Sequence, residues 1–160
     1  MSHRLVGEAE SRPLGAYATL AVTYAGLFGG GLAAAVGQGH ELPQDVGLHD
    51  LALYGVATHR LSRMLSREKV ARFARAPFTD VDEDANCPPG EMAEHPRGDR
   101  GMRKAIGELV SCTMCLDQWI AGGFVVAHVW APRATRIAAS ALAIKSVADT
   151  LHLAYARAAG

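Results

Sequence analysis

Residues 13–39 read PLGAYATLAVTYAGLFGGGLAAAVGQG, 27 consecutive positions between Arg12 and His40 in which only Tyr17 and Tyr24 carry an ionisable group. A hydrocarbon layer about 30 Å thick is crossed by roughly 20 apolar residues, and in a single segment only a helix satisfies its own backbone polar groups there. Positions 14–37 meet that length and predict a transmembrane helix. Within them Ala21, Ala25, Gly29, Ala33 and Gly37 recur every fourth residue, with Gly26, Gly30 and Ala34 alongside. Such a stripe lets a second helix approach closely, although a chain this rich in glycine and alanine also produces the spacing by composition. A signal peptide is the rival reading, with Arg4 and Arg12 ahead of the apolar run and Ala33-Ala34-Ala35 as a small-residue cleavage site. The run is longer than an ordinary signal core, which favours the spanning helix.

Working outward, three weaker apolar segments follow at about 46–65, 114–131 and 136–156, separated by turn signals that include Gly39, Pro43 and Pro132. Trp119 and Trp130 bracket the third and Tyr155 sits near the end of the fourth, where interfacial aromatics belong. The expected fold is all-α: a polytopic membrane helical bundle of about four transmembrane helices, one membrane domain over 1–160, with a cytoplasmic helical hairpin or loop over 66–111. The competing reading is a soluble helical domain anchored by its first segment alone.

Four spans divide the basic residues unevenly. The N-terminus, the middle segment from Arg60 to Lys104, and the C-terminus hold thirteen of the sixteen Lys and Arg. Cytoplasmic faces are enriched in such residues, so the expectation is a bacterial cytoplasmic (inner) membrane with both termini and the 66–111 segment in the cytoplasm. Sixteen Lys+Arg against sixteen Asp+Glu give no net charge, which argues against nucleic acid as a partner. The expected partners are membrane lipids and another protein, in a homo- or hetero-oligomer. Arg60, Arg63, Arg67, Arg72 and Arg75 form a basic run at the level of lipid phosphates, suited to headgroups or a partner or to plain anchoring of a helix end. Thr79–Gly101 lacks apolar periodicity and reads as an irregular loop, and helical spacing returns over Gly101–Ser111.

Three cysteines rule out a disulfide-stapled scaffold. Cys112-x-x-Cys115 is half a zinc site, and the assumed topology allows His59 and His152 to complete it, with Glu108 or Asp117 as substitutes and Cys87 as a loop donor. Redox chemistry and simple packing are the other readings of the pair. Zinc is the only cofactor suggested. Lys145, Asp149 and His152 share one face of the last helix, and with Asp117 and Asp50 they make an intramembrane polar set that serves as an ion-paired buckle or a proton path. His128 reads as a hydrogen-bonded interior or interfacial histidine and not as a ligand. No G-x-S-x-G, phosphate loop or H-E-x-x-H is present, so no enzyme class is supported.

Several short motifs point the same way: Ala57-Thr58-His59-Arg60-Leu61-Ser62-Arg63, Arg75-Ala76-Pro77-Phe78-Thr79, Pro96-Arg97-Gly98, Gly107-Glu108-Leu109 with Cys112-Thr113-Met114-Cys115, Trp119, and Leu151-His152-Leu153-Ala154-Tyr155. In this order, over about residues 48–156, they resemble the YjcA-like family of small bacterial integral membrane proteins of unknown function, first noted in sporulation gene sets. That family usually has proline after the first cysteine, where this chain has Thr113. The resemblance implies an integral membrane protein and implies no reaction. The functional expectation is a non-catalytic scaffold or accessory subunit presenting its cytoplasmic segment to a partner, with a structural metal at the cysteine pair. A thiol- or metal-dependent membrane enzyme or small transporter is the alternative.

Overall fold

The computed structural model describes residues 13–160; Arg4 and Arg12, used above for orientation, lie outside the described residues. In chain order the elements are α1 (Leu14–Gly37), α2 (Leu48–Arg67), a single 3-10 turn (Lys69–Ala71), α3 (Arg72–Arg75), β1 (Thr79–Val81), β2 (Glu94–Pro96), α4 (Gly101–Ser111), α5 (Thr113–Trp130) and α6 (Pro132–Ala159). α1 ends in a left-handed cap. Gly39 takes a φ of 86°, so the His40 amide reaches back to the Ala35 carbonyl at 3.0 Å and the Gly39 amide to Val36 at 3.0 Å. α6 starts on Pro132, whose missing N–H costs nothing in a first turn.

Among the described residues, α1 and α6 are long and apolar enough to cross a membrane, and α4 with α5 qualifies only as a broken pair counted as one span. Length and composition therefore support two or three spans where four were expected. α2 falls short because Asp50, Arg60, Arg63 and Arg67 fall within its 20 residues, and Asp117, Gln118 and His128 dilute α5.

The chain divides into two compact units, the second made of residues 27–63 and 117–160. Its core is Tyr54, Ala57, Phe124 and Ala139, backed by Leu53, Leu61, Ile120 and Leu142. The Tyr54 ring stacks on Phe124 with centroids 5.5 Å apart, and its hydroxyl shares a 2.7 Å hydrogen bond with His128 Nδ1. His128 is thus an interior histidine with a partner. The end of α1 meets α5 at Gly31, where a Cβ would stand 2.9 Å from the Val126 side chain. The indole N–H of Trp130 donates to the Gly31 carbonyl at 3.1 Å. The fourfold stripe does not do this packing. Ala21, Ala25, Gly29, Ala33 and Gly37 are all exposed, while Ala35 is the residue of α1 that is fully buried. Only the backbone approach at Gly31 needed a residue without a side chain, and it lies outside that stripe.

Two ion pairs set the register of α2 against α6. Arg136 donates from Nε and Nη2 to the two Asp50 carboxylate oxygens at 2.8 and 2.7 Å. Farther along, Arg60 lies 3.3 Å from Asp149, which also accepts from Lys145. Both pairs advance toward the C-terminal end of each helix, so α2 and α6 run parallel. The separations, at about 1.5 Å per residue, are roughly 15 Å on α2 and 20 Å on α6. The acid is on α2 in the first pair and on α6 in the second, so a slip of about one turn breaks both pairs and one of roughly 15–20 Å brings like charges together.

Burial in this unit is the reverse of a water-soluble pattern. Asp50, Thr58, Arg60, Ser62 and Thr135 are buried, whereas Leu48, Leu51, Ile137, Ile144 and Leu151 are each more than half exposed. In water that arrangement would waste apolar surface and desolvate charge, while in lipid it is the stable one.

Removing either partner of the terminal pair strands the other charge. Asp50→Ala and Arg136→Ala are each expected to lower the unfolding midpoint in detergent micelles, and the double variant to recover much of the loss. Equal, additive losses in such a double-mutant cycle would show that the two groups are not coupled.

Candidate functional site

The other unit has residues 13–26 and 64–116 as its described part. It contains the middle segment, and it is organised around one arginine. Arg75 lies in the four-residue helix α3, is 1% exposed, and donates from all three guanidinium nitrogens. Nε and Nη2 donate to the two oxygens of Glu94 at 2.9 and 3.1 Å. Nη1 donates to the Leu65 and Glu68 carbonyls at 2.7 and 3.1 Å, which are left open where α2 ends. Glu94 is equally occupied, taking a 2.6 Å hydrogen bond from the Thr79 hydroxyl and a 3.7 Å ion pair from Arg72. A two-way carboxylate fork and two carbonyls thus tie the end of α2, α3, β1 and β2 to one side chain.

The stretch 79–101, expected to be irregular, contains a short antiparallel hairpin with Thr79 facing Pro96, Asp80 facing His95 and Val81 facing Glu94. Arg97 pins it by donating from Nε to Asp80 at 2.8 Å. The return chain clips onto the end of α2, with the Met92 amide on the Arg67 carbonyl at 2.9 Å and the Lys69 amide on Gly90 at 3.0 Å. α4 then lies against the hairpin through Gly107, where a Cβ would fall 2.6 Å from the Phe78 carbonyl oxygen. Arg103 supports the same turn by donating to the Pro77 carbonyl at 2.8 Å. Sequence reasoning missed the hairpin because three-residue strands show no alternation; charged side chains, not apolar faces, order it. The usable signal was the Arg75, Thr79, Glu94 set flanked by glycines with left-handed φ at Gly90 and Gly98.

Charge chemistry follows from this packing. Burial raises the Glu94 carboxyl, but hydrogen bonds from Arg75 and Thr79 and the charges of Arg75 and Arg72 outweigh it and hold the group below its ordinary 4.5. The Arg97 hydrogen bond likewise holds Asp80 below its usual range against a smaller effect of burial.

The predicted site residues are distributed unevenly. Arg75 is withdrawn from any headgroup, since its donors are used inside the protein. Arg60 is 4% exposed and faces Asp149. Arg72 is exposed beside Val70 and Phe73, which are 69% and 81% exposed. Arg63 is exposed and Arg67 half-buried. Lys145 and Asp149 are brought together, Asp50 has found Arg136, and Asp117 keeps one oxygen buried without a hydrogen-bond partner among the described residues. Arg136 was not expected as a partner of Asp50.

Cys112 and Cys115 are brought together at the break between α4 and α5. Cys112 is extended, with φ −101° and ψ 110°, and α5 begins at the next residue. The Cys115 thiol donates to Cys112 Sγ across 2.6 Å, and the Cys115 amide donates to the same sulfur at 3.3 Å. Ser66 and Thr113 share a 2.9 Å hydrogen bond beside the pair, and the Tyr17 hydroxyl donates to Glu108. His59 and His152, the other expected zinc ligands, are both exposed, and Cys87 is half-buried in the loop. Among the described residues, no three His, Cys, Asp or Glu side chains are grouped to hold a metal ion.

Comparison with protein families matches residues 53–155 to the family described as "Protein of unknown function (DUF1360)". The matched stretch is nearly the one over which the motifs above run, and its description makes no reference to sporulation. No curated protein and no solved structure matches the chain.

Two outcomes are expected at the buried fork. Arg75→Ala, which strands Glu94, is expected to destabilise the unit by about 3–5 kcal/mol, read as faster hydrogen exchange over residues 79–96. The Glu94 carboxyl is lowered relative to the unfolded chain, so its contribution is fully present above pH 4.5 and is lost as the pH falls through the lowered value. Glu94→Gln is expected to flatten that acid limb in a pH series of unfolding midpoints; an unchanged limb would exclude Glu94 as its source.

Proposed function

Since the chain belongs to the DUF1360 family, whose description assigns no function, we propose from its own geometry that it is a small bacterial inner-membrane protein acting as a non-catalytic scaffold or accessory subunit. In this reading four helices cross the membrane, both termini are cytoplasmic, and residues 66–111 are presented to a cytoplasmic protein partner. The inverted burial of α2 carries the membrane half of the reading. A helix that buries Asp50 and Arg60 and exposes Leu48 at 82% and Leu51 at 56% suits a lipid surround, and its parallel pairing with α6 agrees with two helices that both run from outside to inside.

The scaffold half rests on the way the middle segment is built. It has few buried apolar side chains, yet Arg75, Glu94, Thr79 and Arg97 hold it in a defined shape. Ordering a surface loop costs about 1–2 kcal/mol per residue in backbone entropy, and loops held against that cost commonly carry function. What the segment offers outward is chemically mixed. Lys69, Val70, Arg72 and Phe73 are exposed on one turn, and Asp82, Glu83 and Asp84 are exposed at the hairpin tip. No metal is needed for this role.

Photoreactive amino acids placed singly at Leu48, Phe73 and Glu83 in native membranes test both halves. Leu48 is expected to give lipid adducts, and Phe73 or Glu83 a discrete protein adduct that disappears in Arg75→Ala. Absence of lipid adducts at Leu48 would remove α2 from the membrane, and absence of any protein adduct at both Phe73 and Glu83 would end the scaffold reading.

A further inference from the structure

The scaffold role leaves one chemically reactive constellation unused: the two thiols that begin α5. Their arrangement is unequal. Cys112 Sγ is the acceptor of both local hydrogen bonds, from the Cys115 thiol at 2.6 Å and from the Cys115 amide at 3.3 Å. Cys115 Sγ is the donor in the first. Cys112 also stands just before an 18-residue helix, where the positive end of the backbone dipole favours negative charge. Both features make Cys112 Sγ the acceptor end of the pair and Cys115 the end that carries the shared proton. Cys112 is half-buried and Cys115 is exposed, so the described residues of the chain do not cover the pair.

The sulfurs are also positioned to join. The two Sγ atoms are in direct contact, within reach of a disulfide bond of roughly 2.05 Å. Closure across Cys112-Thr113-Met114-Cys115 needs little rearrangement, and the extended backbone at Cys112 gives it freedom that a residue inside a helix lacks.

We infer that Cys112 and Cys115 form a thiol–disulfide exchange site, with Cys112 as the attacking thiolate and Cys115 as the resolving thiol, acting on disulfide-bearing substrates. In the first step the Cys112 thiolate attacks one sulfur of a substrate disulfide R–S–S–R′. A Cys112–S–S–R bond forms, the S–S bond of the substrate breaks, and R′–S⁻ leaves. In the second, Cys115 gives its proton to the departed thiolate and attacks Cys112 Sγ. The Cys112–Cys115 disulfide forms and R–S⁻ leaves. The substrate disulfide is reduced by two electrons and the cysteine pair is oxidised by two. An external thiol of the glutathione class reverses the sequence and restores the dithiol. The inference is independent of the scaffold role, since it uses no residue of the hairpin surface.

The test uses the full-length chain in detergent micelles, with Cys87→Ser as background and oxidised glutathione as the probe. With both cysteines present, intact mass is expected to show a closed disulfide and no retained glutathione. Cys115→Ser is expected to trap glutathione on Cys112, and Cys112→Ser to react at least tenfold more slowly. Because a serine variant can fail to fold, the parent chain is also treated with substoichiometric iodoacetamide and mapped by peptide mass, with Cys112 expected to be labelled first. Glutathione trapped no faster on Cys112 than on Cys115, preferential labelling of Cys115, or a parent pair that stays reduced in excess oxidised glutathione would each overturn the assignment.

Discussion

The arginine–carboxylate pair is the interaction on which this structure depends. Beside the pairs of Arg97 with Asp80 and Arg72 with Glu94, three such pairs join separate parts of the chain: Arg136 with Asp50, Arg60 with Asp149, and Arg75 with Glu94. An arginine does not discard its charge by losing a proton, so where it is buried it must be answered by an anion and by acceptors in the right plane. The first two pairs hold α2 beside α6 and define their direction. The third closes the middle segment onto the end of α2. Apolar packing around Tyr54 and Phe124 contributes cohesion, but it does not specify which helix lies beside which, because most of the large aliphatic side chains point outward.

That division of labour explains what could be read in the chain beforehand. Residues 14–37 announce a spanning helix by the absence of charge, and α6 does so nearly as well, because length and hydropathy are local properties. The segment over 46–65 was also recognisable as a helix, but its charges dilute its apolar character, and pairing with α6 is what lets Asp50 and Arg60 turn inward. Pairing is a long-range property. Arg136 and Asp50 are separated by 86 positions, and nothing near either residue names the other.

The candidate site shows the same limit. Cys112 and Cys115 were visible as a motif, and their meeting follows from their spacing. The zinc set drawn around them required His59 and His152 to converge through the tertiary fold, and among the described residues no such grouping exists. Arg75 was read as a headgroup contact because it ends a basic run. Its role as the centre of the middle segment depends on Glu94, which lies on the far side of a hairpin too short to have a sequence signature. The small-residue stripe in α1 illustrates a related point: spacing shows which residues share a face, and it does not show which face has a neighbour within the chain.

The exchange of charge between α2 and α6 bears on how the chain is made. α2 leaves the ribosome before the group that neutralises Asp50 exists, since Arg136 is translated 86 residues later. At a synthesis rate of 5–20 residues per second that interval is roughly 4–17 s. Until it ends, Asp50 lacks the guanidinium that holds it in the finished fold. The contact between α2 and α6 is therefore among the last to close, and the order in which contacts form departs from the order in which their halves are made.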